Sequence, residues 1–248
     1  RNVHRILSQA LGHAVKWSEL VRNPADAVTA PRPSPSRIKM WNPSTLNRFL
    51  DQCEISRFSD LYRFTMRTGL RRGELLGLRW KDVDLKDKRL MVVNTLQRID
   101  GHGLLESPPK TSRSRRSLAL GEEAMSILRS VQSKQLEQRL RAGPAWRDTG
   151  YVFTLSDGRP IEPGSVTRDF KSTVVMLGLP DLNLHGLRHA FATLMLLAGV
   201  SAKVVSEMMG HSSVTVTLDT YSHVVQGLQE HAVSALDQYL VEVKAAAN

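Results

Sequence analysis

"MMGHSSVTVTLDTYSH", residues 208–223, can be read two ways, and the choice decides how the fold closes. Gly210 is a helix stop, because glycine enters the left-handed conformation that ends a helix without steric cost. Beyond it, "VTVT" (214–217) is β-branched and by propensity alone favours a strand. Tyr221 follows among Thr, Asp, Ser and His, whereas a core tyrosine keeps apolar company. The chain has only four tyrosines. One in this polar setting either packs or reacts, and as a nucleophile it would have to be reachable by a substrate rather than sealed in a core.

Outward from this stretch, helical spacing dominates. Helices are expected over 163–177, 187–198 and 202–209, the last two closed by Gly199 and Gly210. A tail helix over 226–241 is amphipathic through Leu228, Ala232, Leu236 and Leu240. Toward the N-terminus, a helix is expected from about Glu122 to Arg141, followed by a short strand "YVFTL" (151–155). "RLMVVNTLQRI" (89–99) alternates like a strand, "DGHG" (100–103) supplies a turn, and "SRSRRSLAL" (112–120) completes the expected hairpin. Asn42 and Pro43 form a helix start, and "DLYRFTMRTGL" (60–70) a helix stopping at Gly69. Residues 1–29 read as an amphipathic helix with an Asn-Pro exit, the last part of a helical domain. Residues 30–39, rich in Pro and basic residues, read as a linker to a domain over 40–248. The fold class is therefore mainly α with one small antiparallel β-sheet, an α+β chain.

The chain has 248 residues, with 34 Lys and Arg against 24 Asp and Glu, a net charge of +10. That surplus points to a polyanion, nucleic acid ahead of an anionic membrane. The longest apolar run, "TLMLLAGV" (193–200), is too short to span a bilayer. No signal-peptide layout or initiator Met opens the chain, which reads as a piece of something longer. The single Cys53 rules out an internal disulfide and fits a reducing compartment.

Four places combine cationic or titratable side chains with turns. In "TGLRRGELLGLRW" (68–80), Arg71 could present its planar fork to a phosphate, or be a surface arginine paired with Glu74. In "PPKTSRSRRSLAL" (108–120), Lys110, Arg113, Arg115 and Arg116 crowd one hairpin edge. Such a cluster binds phosphate backbone or is a solvated basic strand, and Lys110 could donate a proton if its neighbours lower its pKa. In "HGLRHAFATL" (185–194), His185 and Arg188 share a helix face. His185 and His189 have the spacing of a zinc helix, but position 186 is Gly where a metalloprotease needs Glu, and no third ligand stands near. No metal is expected, and His189 reads as a structural histidine. The fourth place is the opening stretch, with His211 on its turn.

Taken in order, these residues resemble the tyrosine recombinases of the phage integrase family. That family carries Arg in a T-G-L-R-x-x-E-L turn, Lys on a β-hairpin, an H-x-x-R pair, a G-H turn and a nucleophilic Tyr. Here they are Arg71, Lys110, His185 with Arg188, His211, and Tyr221, over about residues 40–225. The resemblance implies a helical DNA breaking-rejoining catalytic fold, with Tyr221 on or beside a short helix, which overrides the strand reading of 214–217. It also implies that residues 1–29 are the exit of a core-binding domain.

By the same resemblance the activity is site-specific recombination of double-stranded DNA through a 3′-phosphotyrosyl link and a four-way junction, without metal or other cofactor. Arg71, Arg188 and His211 would bind the phosphate, Lys110 would protonate the leaving 5′-oxygen, and His185 would handle the Tyr221 proton. Glu74 would brace the site, while Arg113, Arg115 and Arg116 would contact DNA. The cofactor-free reading suits a site whose arginines, lysine and histidines supply the charge. A homotetramer on DNA, joined by the C-terminal tail, in the cytoplasm of a bacterium or phage-infected host, completes the expectation. Two alternatives are a type IB topoisomerase-like enzyme, disfavoured because that group tends to carry Lys where His185 stands, and a non-catalytic DNA-binding relative.

Overall fold

The computed structural model describes residues 2–30, 40–109, 114–226, 233, 236 and 237. The chain divides into two compact units, Arg1–Ile38 and Lys39–Asn248. In the first, helix α1 (Asn2–Lys16) is followed by a 3-10 turn, Pro24–Ala27. Asn23 holds the turn: its Oδ1 accepts from Ala25 N at 3.0 Å, and its Nδ2 donates to the Ser8 carbonyl at 3.0 Å. The helix stops at Lys16, and the Asn23–Pro24 break follows it as the exit. The proposed linker falls almost wholly outside the described residues.

The second unit begins where the sequence marks a helix start. Asn42 Oδ1 accepts from Thr45 N at 2.8 Å and Pro43 occupies the first turn of α2 (Pro43–Gln52). Helix α3 (Ser59–Thr68) is buried along most of its length and runs into Gly69, whose φ of 63° ends it. A five-residue helix α4 (Arg72–Leu76) follows at once. Further along lie α5 (Glu122–Ala142), α6 (Pro163–Met176), α7 (Leu184–Leu197), α8 (Ala202–Met209) and α9 (Val214–Gln226). Helix α3 packs against both α5 and α7 and forms the central post. Around it Trp41, Phe49, Tyr62 and Phe170 form an aromatic cluster with ring centroids 5.1–6.2 Å apart. Each such side chain contributes about 1.5–3 kcal/mol when fully buried. The Tyr62 hydroxyl reaches out of this cluster and donates to Asp169 Oδ1 at 2.7 Å.

The β structure differs from the expected single hairpin. Among the described residues, five strands form two sheets: β1 (Val83–Asp84), β2 (Arg89–Val92) and β5 (Arg116–Ala119) in one, and β3 (Thr95–Ile99) with β4 (Gly103–Ser107) in the other. The run 89–99 is broken after Val92, and its halves serve different sheets. Across the turn after Ile99 the returning strand is 103–107, with Ile99 opposite Gly103, not 112–120. Residues 116–119 pair instead with β2, Val92 opposite Arg116. A tight turn favours the nearest pairing partner, so the hairpin closes on its immediate neighbour. "YVFTL" makes only isolated bridges, Arg79 with Tyr151 and Thr154 with Pro160.

The opening stretch is helical. Residues 214–217 form the first turn of α9, which packs on α7 and α8, and the helix is kinked at Tyr221 (φ −116°, ψ 20°). Tertiary packing overrides the strand propensity of its valines and threonines. No described helix is long and apolar enough to cross a membrane.

Candidate active site

The site is built on three tight turns. The first is Gly69, where a Cβ would lie 2.4 Å from the Phe191 ring, so only glycine fits the left-handed turn. That turn delivers Arg71 directly before α4. Glu74, three residues on and 2% exposed, accepts from the Arg71 backbone N–H at 2.9 Å and from its Nη1 at 2.8 Å. The same carboxylate accepts from Arg116 Nη1 at 3.0 Å and Nη2 at 2.9 Å, a bidentate buried pair. Burial pushes the Glu74 carboxyl up, but the hydrogen bonds and charges of Arg116 and Arg71 outweigh it and hold the pKa below the usual carboxylate range.

The second turn is Gly210, at the end of α8, with φ 61°. Here three arginines from three elements address three successive carbonyls. Arg116 Nε donates to Met208 O at 2.7 Å, Arg188 Nη2 to Met209 O, and Arg71 Nη2 to Gly210 O at 2.8 Å. The last carbonyls of a helix have no intrahelical partner and carry partial negative charge, so they attract cations. Arg188, 2% exposed, also donates from Nη1 to Gly69 O and thereby ties the first turn to the second. Burial and then the Arg71 charge lower its pKa to about 9, which leaves it charged at neutral pH.

The third turn opens α7. Asn183 caps it, its Oδ1 accepting from Gly186 N at 3.0 Å, so His185 and Arg188 lie inside the first turns of a helix that starts at Leu184 rather than 187. His185 reaches the surface, yet burial and the charges of His189, Arg188 and Arg71 bring its pKa to about 4. His211 is held by a 2.8 Å hydrogen bond between its Nδ1 and the hydroxyl of the buried Thr217, and burial with Arg188 and Arg71 lowers its pKa to about 4 as well. Both rings are neutral at pH 7. Tyr221 is 1% exposed, and its hydroxyl lies 2.8 Å from His189 Nδ1. Burial raises its pKa to about 12 against the opposing charge of Arg188.

Two clefts adjoin this cluster. One, of about 400 Å³, is lined by Arg71, His185 and Arg188; the other, of about 730 Å³, by Arg71, Glu74, Gln97, Arg98, Gly210 and Ser212. Tyr221 lines neither. The structure therefore brings Arg71, Glu74, His185, Arg188, His211 and Tyr221 around the ends of α3, α7 and α8. Lys110 and Arg113 lie outside the described residues. Arg115 is exposed.

Residues 41–227 match the model of the phage integrase family. The chain belongs to that family. It is 28% identical to a XerC-like tyrosine recombinase of Caldanaerobacter subterraneus subsp. tengcongensis, over 96% of this chain and 66% of that protein. It is also 28% identical to the ICEBs1 integrase of Bacillus subtilis (strain 168), over 96% of this chain and 65% of that one. The structure superposes on the Tn1549 transposon integrase in complex with transposon right end DNA at a TM-score of 0.76 and 25% identity, covering 93% of this chain and 78% of the other. This phage integrase family chain thus spans about 65% of the length of those curated relatives.

Three expectations about the site are corrected. Arg116 does not lie along an exposed basic edge; its guanidinium is turned inward and is occupied by Glu74 and the Met208 and Ser114 carbonyls. Tyr221 is not reachable from solvent, because α9 seats it against α7. The histidine on its hydroxyl is His189, read from sequence as structural, and not His185. The i, i+4 spacing of His185 and His189 was the available signal: their rings meet edge-on, with centroids 4.6 Å apart. Among the described residues of this phage integrase family chain, no group of three or more His, Cys, Asp or Glu could hold a metal ion.

Proposed function

We propose that the chain is the catalytic portion of a tyrosine site-specific recombinase, acting in the cytoplasm on double-stranded DNA. It cuts one strand by attack of Tyr221 on a phosphodiester, conserves the bond energy in a 3′-phosphotyrosyl link, and rejoins the strand to a new 5′-hydroxyl by way of a four-way junction. The observation that carries this reading is the convergence of Arg71 and Arg188, 139, 119 and 21 residues from the contacts they make, on the carbonyls of Gly210, Gly69 and Met209 beside His211. Those donors now satisfy backbone oxygens. The non-bridging oxygens of a phosphate carry more charge and are better acceptors for the same planar forks.

Within the proposed reaction, Arg71 and Arg188 neutralise charge developing on the phosphorane and His211 adds a hydrogen bond to the same oxygens. Lys110 protonates the departing 5′-oxygen. Glu74 braces Arg71, and Arg113 and Arg115 contact the DNA backbone. Attack requires a phosphate to reach the buried Tyr221 hydroxyl, and the kink in α9 at this residue supports a hinge that uncovers it. Residues 1–29 are assigned to a core-binding domain, 30–39 to its linker and 40–248 to the catalytic domain. The segment 226–241, mostly outside the described residues, is assigned to docking between subunits of a tetramer on DNA.

The test is covalent capture. The 248-residue chain is incubated with a pool of nicked duplexes carrying randomised cores, and denaturant-resistant protein–DNA adducts are isolated and sequenced. Adducts on one core motif are expected, with none from Tyr221→Phe. Adducts that persist in Tyr221→Phe would refute the nucleophile, and DNA binding without any adduct would refute strand transfer.

A further inference from the structure

We infer that His189, rather than His185, is the group that receives the Tyr221 proton in the strand-transfer reaction proposed above, on which this inference rests. The geometry is direct. Tyr221 makes both its hydrogen bond (2.8 Å) and its aromatic contact, with centroids 5.8 Å apart, to His189. His185 touches the far partner of this pair, its ring edge-on to His189. The three rings run from the exposed His185 through the half-buried His189 to the sealed phenol. A proton leaving Tyr221 has His189 as its first acceptor and His185 as the next group toward solvent.

The electrostatics fit an acceptor. The titratable and charged groups that bear on His189 are Arg188 and His185 on its own helix, Tyr221 on α9 and His211 on the turn before α9. Burial and the Arg188 charge hold its pKa below the ordinary histidine range, so the ring is neutral at pH 7. With its own proton on Nε2, a neutral imidazole presents a lone pair at Nδ1, the atom that faces the phenol. A phosphodiester bound by Arg71 and Arg188 cancels the positive charge that disfavours imidazolium, so substrate binding itself raises the basicity of His189.

The Tyr221 O–H bond breaks and its proton passes to His189 Nδ1. The phenolate electron pair forms the new O–P bond while the P–O5′ bond breaks, and the departing O5′ takes a proton from the Lys110 ammonium. The reverse reaction returns the proton from His189 to the phenol.

Two measurements test this on the 248-residue chain. Without DNA, ¹⁵N spectra of the imidazoles should show the His189 Nδ1 resonance displaced in Tyr221→Phe, with the His185 nitrogens little changed; displacement confined to His185 overturns the assignment. With a nicked duplex captured by the wild type, His189→Gln should lower the single-turnover rate of adduct formation by about 10²- to 10⁴-fold, the usual contribution of a positioned base. A fluorinated tyrosine at position 221, whose phenol ionises more readily, should restore His189→Gln to within about tenfold of wild type, because a more acidic nucleophile depends less on its base. A loss that fluorination does not restore assigns His189 a purely structural role and overturns the inference. So does the opposite pattern, with His185→Gln showing the loss and the rescue. A wild-type chain that captures no duplex overturns the strand-transfer reading itself, a failure distinct from that of His189.

Discussion

Replacing Arg116 by Met isolates the contribution of the most buried ion pair in the site. Arg116 and Glu74 are side chains 7% and 1% exposed, joined by two hydrogen bonds, so the pair is almost fully removed from water. Removing one partner of such a pair costs about 3–5 kcal/mol, because the remaining charge keeps its desolvation penalty. Glu74 retains the Arg71 backbone N–H and guanidinium, the latter on a side chain 38% exposed, which places the loss near the lower end. The orphaned Met208 carbonyl adds about 1 kcal/mol. The expected total is about 3–4 kcal/mol, a fall in Tm of about 6–16 °C for a chain of this size. Urea unfolding followed by tryptophan fluorescence measures it, with the midpoint shifting at unchanged slope. The double variant Arg116→Met, Glu74→Leu removes both buried charges and should recover at least about 2 kcal/mol of the loss. A loss below about 1 kcal/mol, or a double variant in which the single losses simply add, would refute the buried-pair account.

The same carboxylate sets an acid limb. The folded pKa of Glu74 lies below its unfolded value, so its stabilisation is fully present above the unfolded pKa and is lost as pH falls through the folded one; Glu74→Gln should therefore flatten the stability–pH curve below about pH 4.5, where unfolded Glu is about half protonated. Gly210→Ala places a methyl in a left-handed turn (φ 61°) and 2.7 Å from Arg116 Nη1, and should cost about 1–3 kcal/mol by thermal unfolding; an unchanged Tm would show that the turn relaxes freely. Affinity for duplex DNA should fall steeply between 50 and 200 mM salt, roughly tenfold or more, and Arg71→Ala should lower the log–log slope by about one; a flat salt response would count against a phosphate-binding surface.

Much of this protein was legible because the deciding signals are local. Asn42 with Pro43, and the glycines at 69 and 210, mark helix ends through capping and backbone conformation, which depend on a few adjacent residues. The order of Arg71, His185, Arg188, His211 and Tyr221 is likewise a property of the string, and it carries the resemblance to the family by itself. Pairing was less legible. The run 89–99 alternates throughout, and nothing in the alternation says that Val92 and Thr95 will serve different sheets; the nearest return strand decided that.

Partner choice between residues far apart in the chain was not legible. Residues 214–217 have the side chains of a strand but form a helix, because Thr217 is buried under His211 and α9 gains the surfaces of α7 and α8. Arg116 reads as one more cation in a basic cluster, and only the approach of Glu74, 42 residues away, turns it inward. His189 and Tyr221 stand 32 residues apart, and no spacing rule joins them. The sequence by itself determined which groups this protein has for chemistry, since side-chain identity and turn conformation are written locally. Which nitrogen meets the phenol, and whether that phenol is exposed or sealed, only the tertiary structure decided, because burial and hydrogen bonding are set by whichever distant surfaces the packed helices bring together.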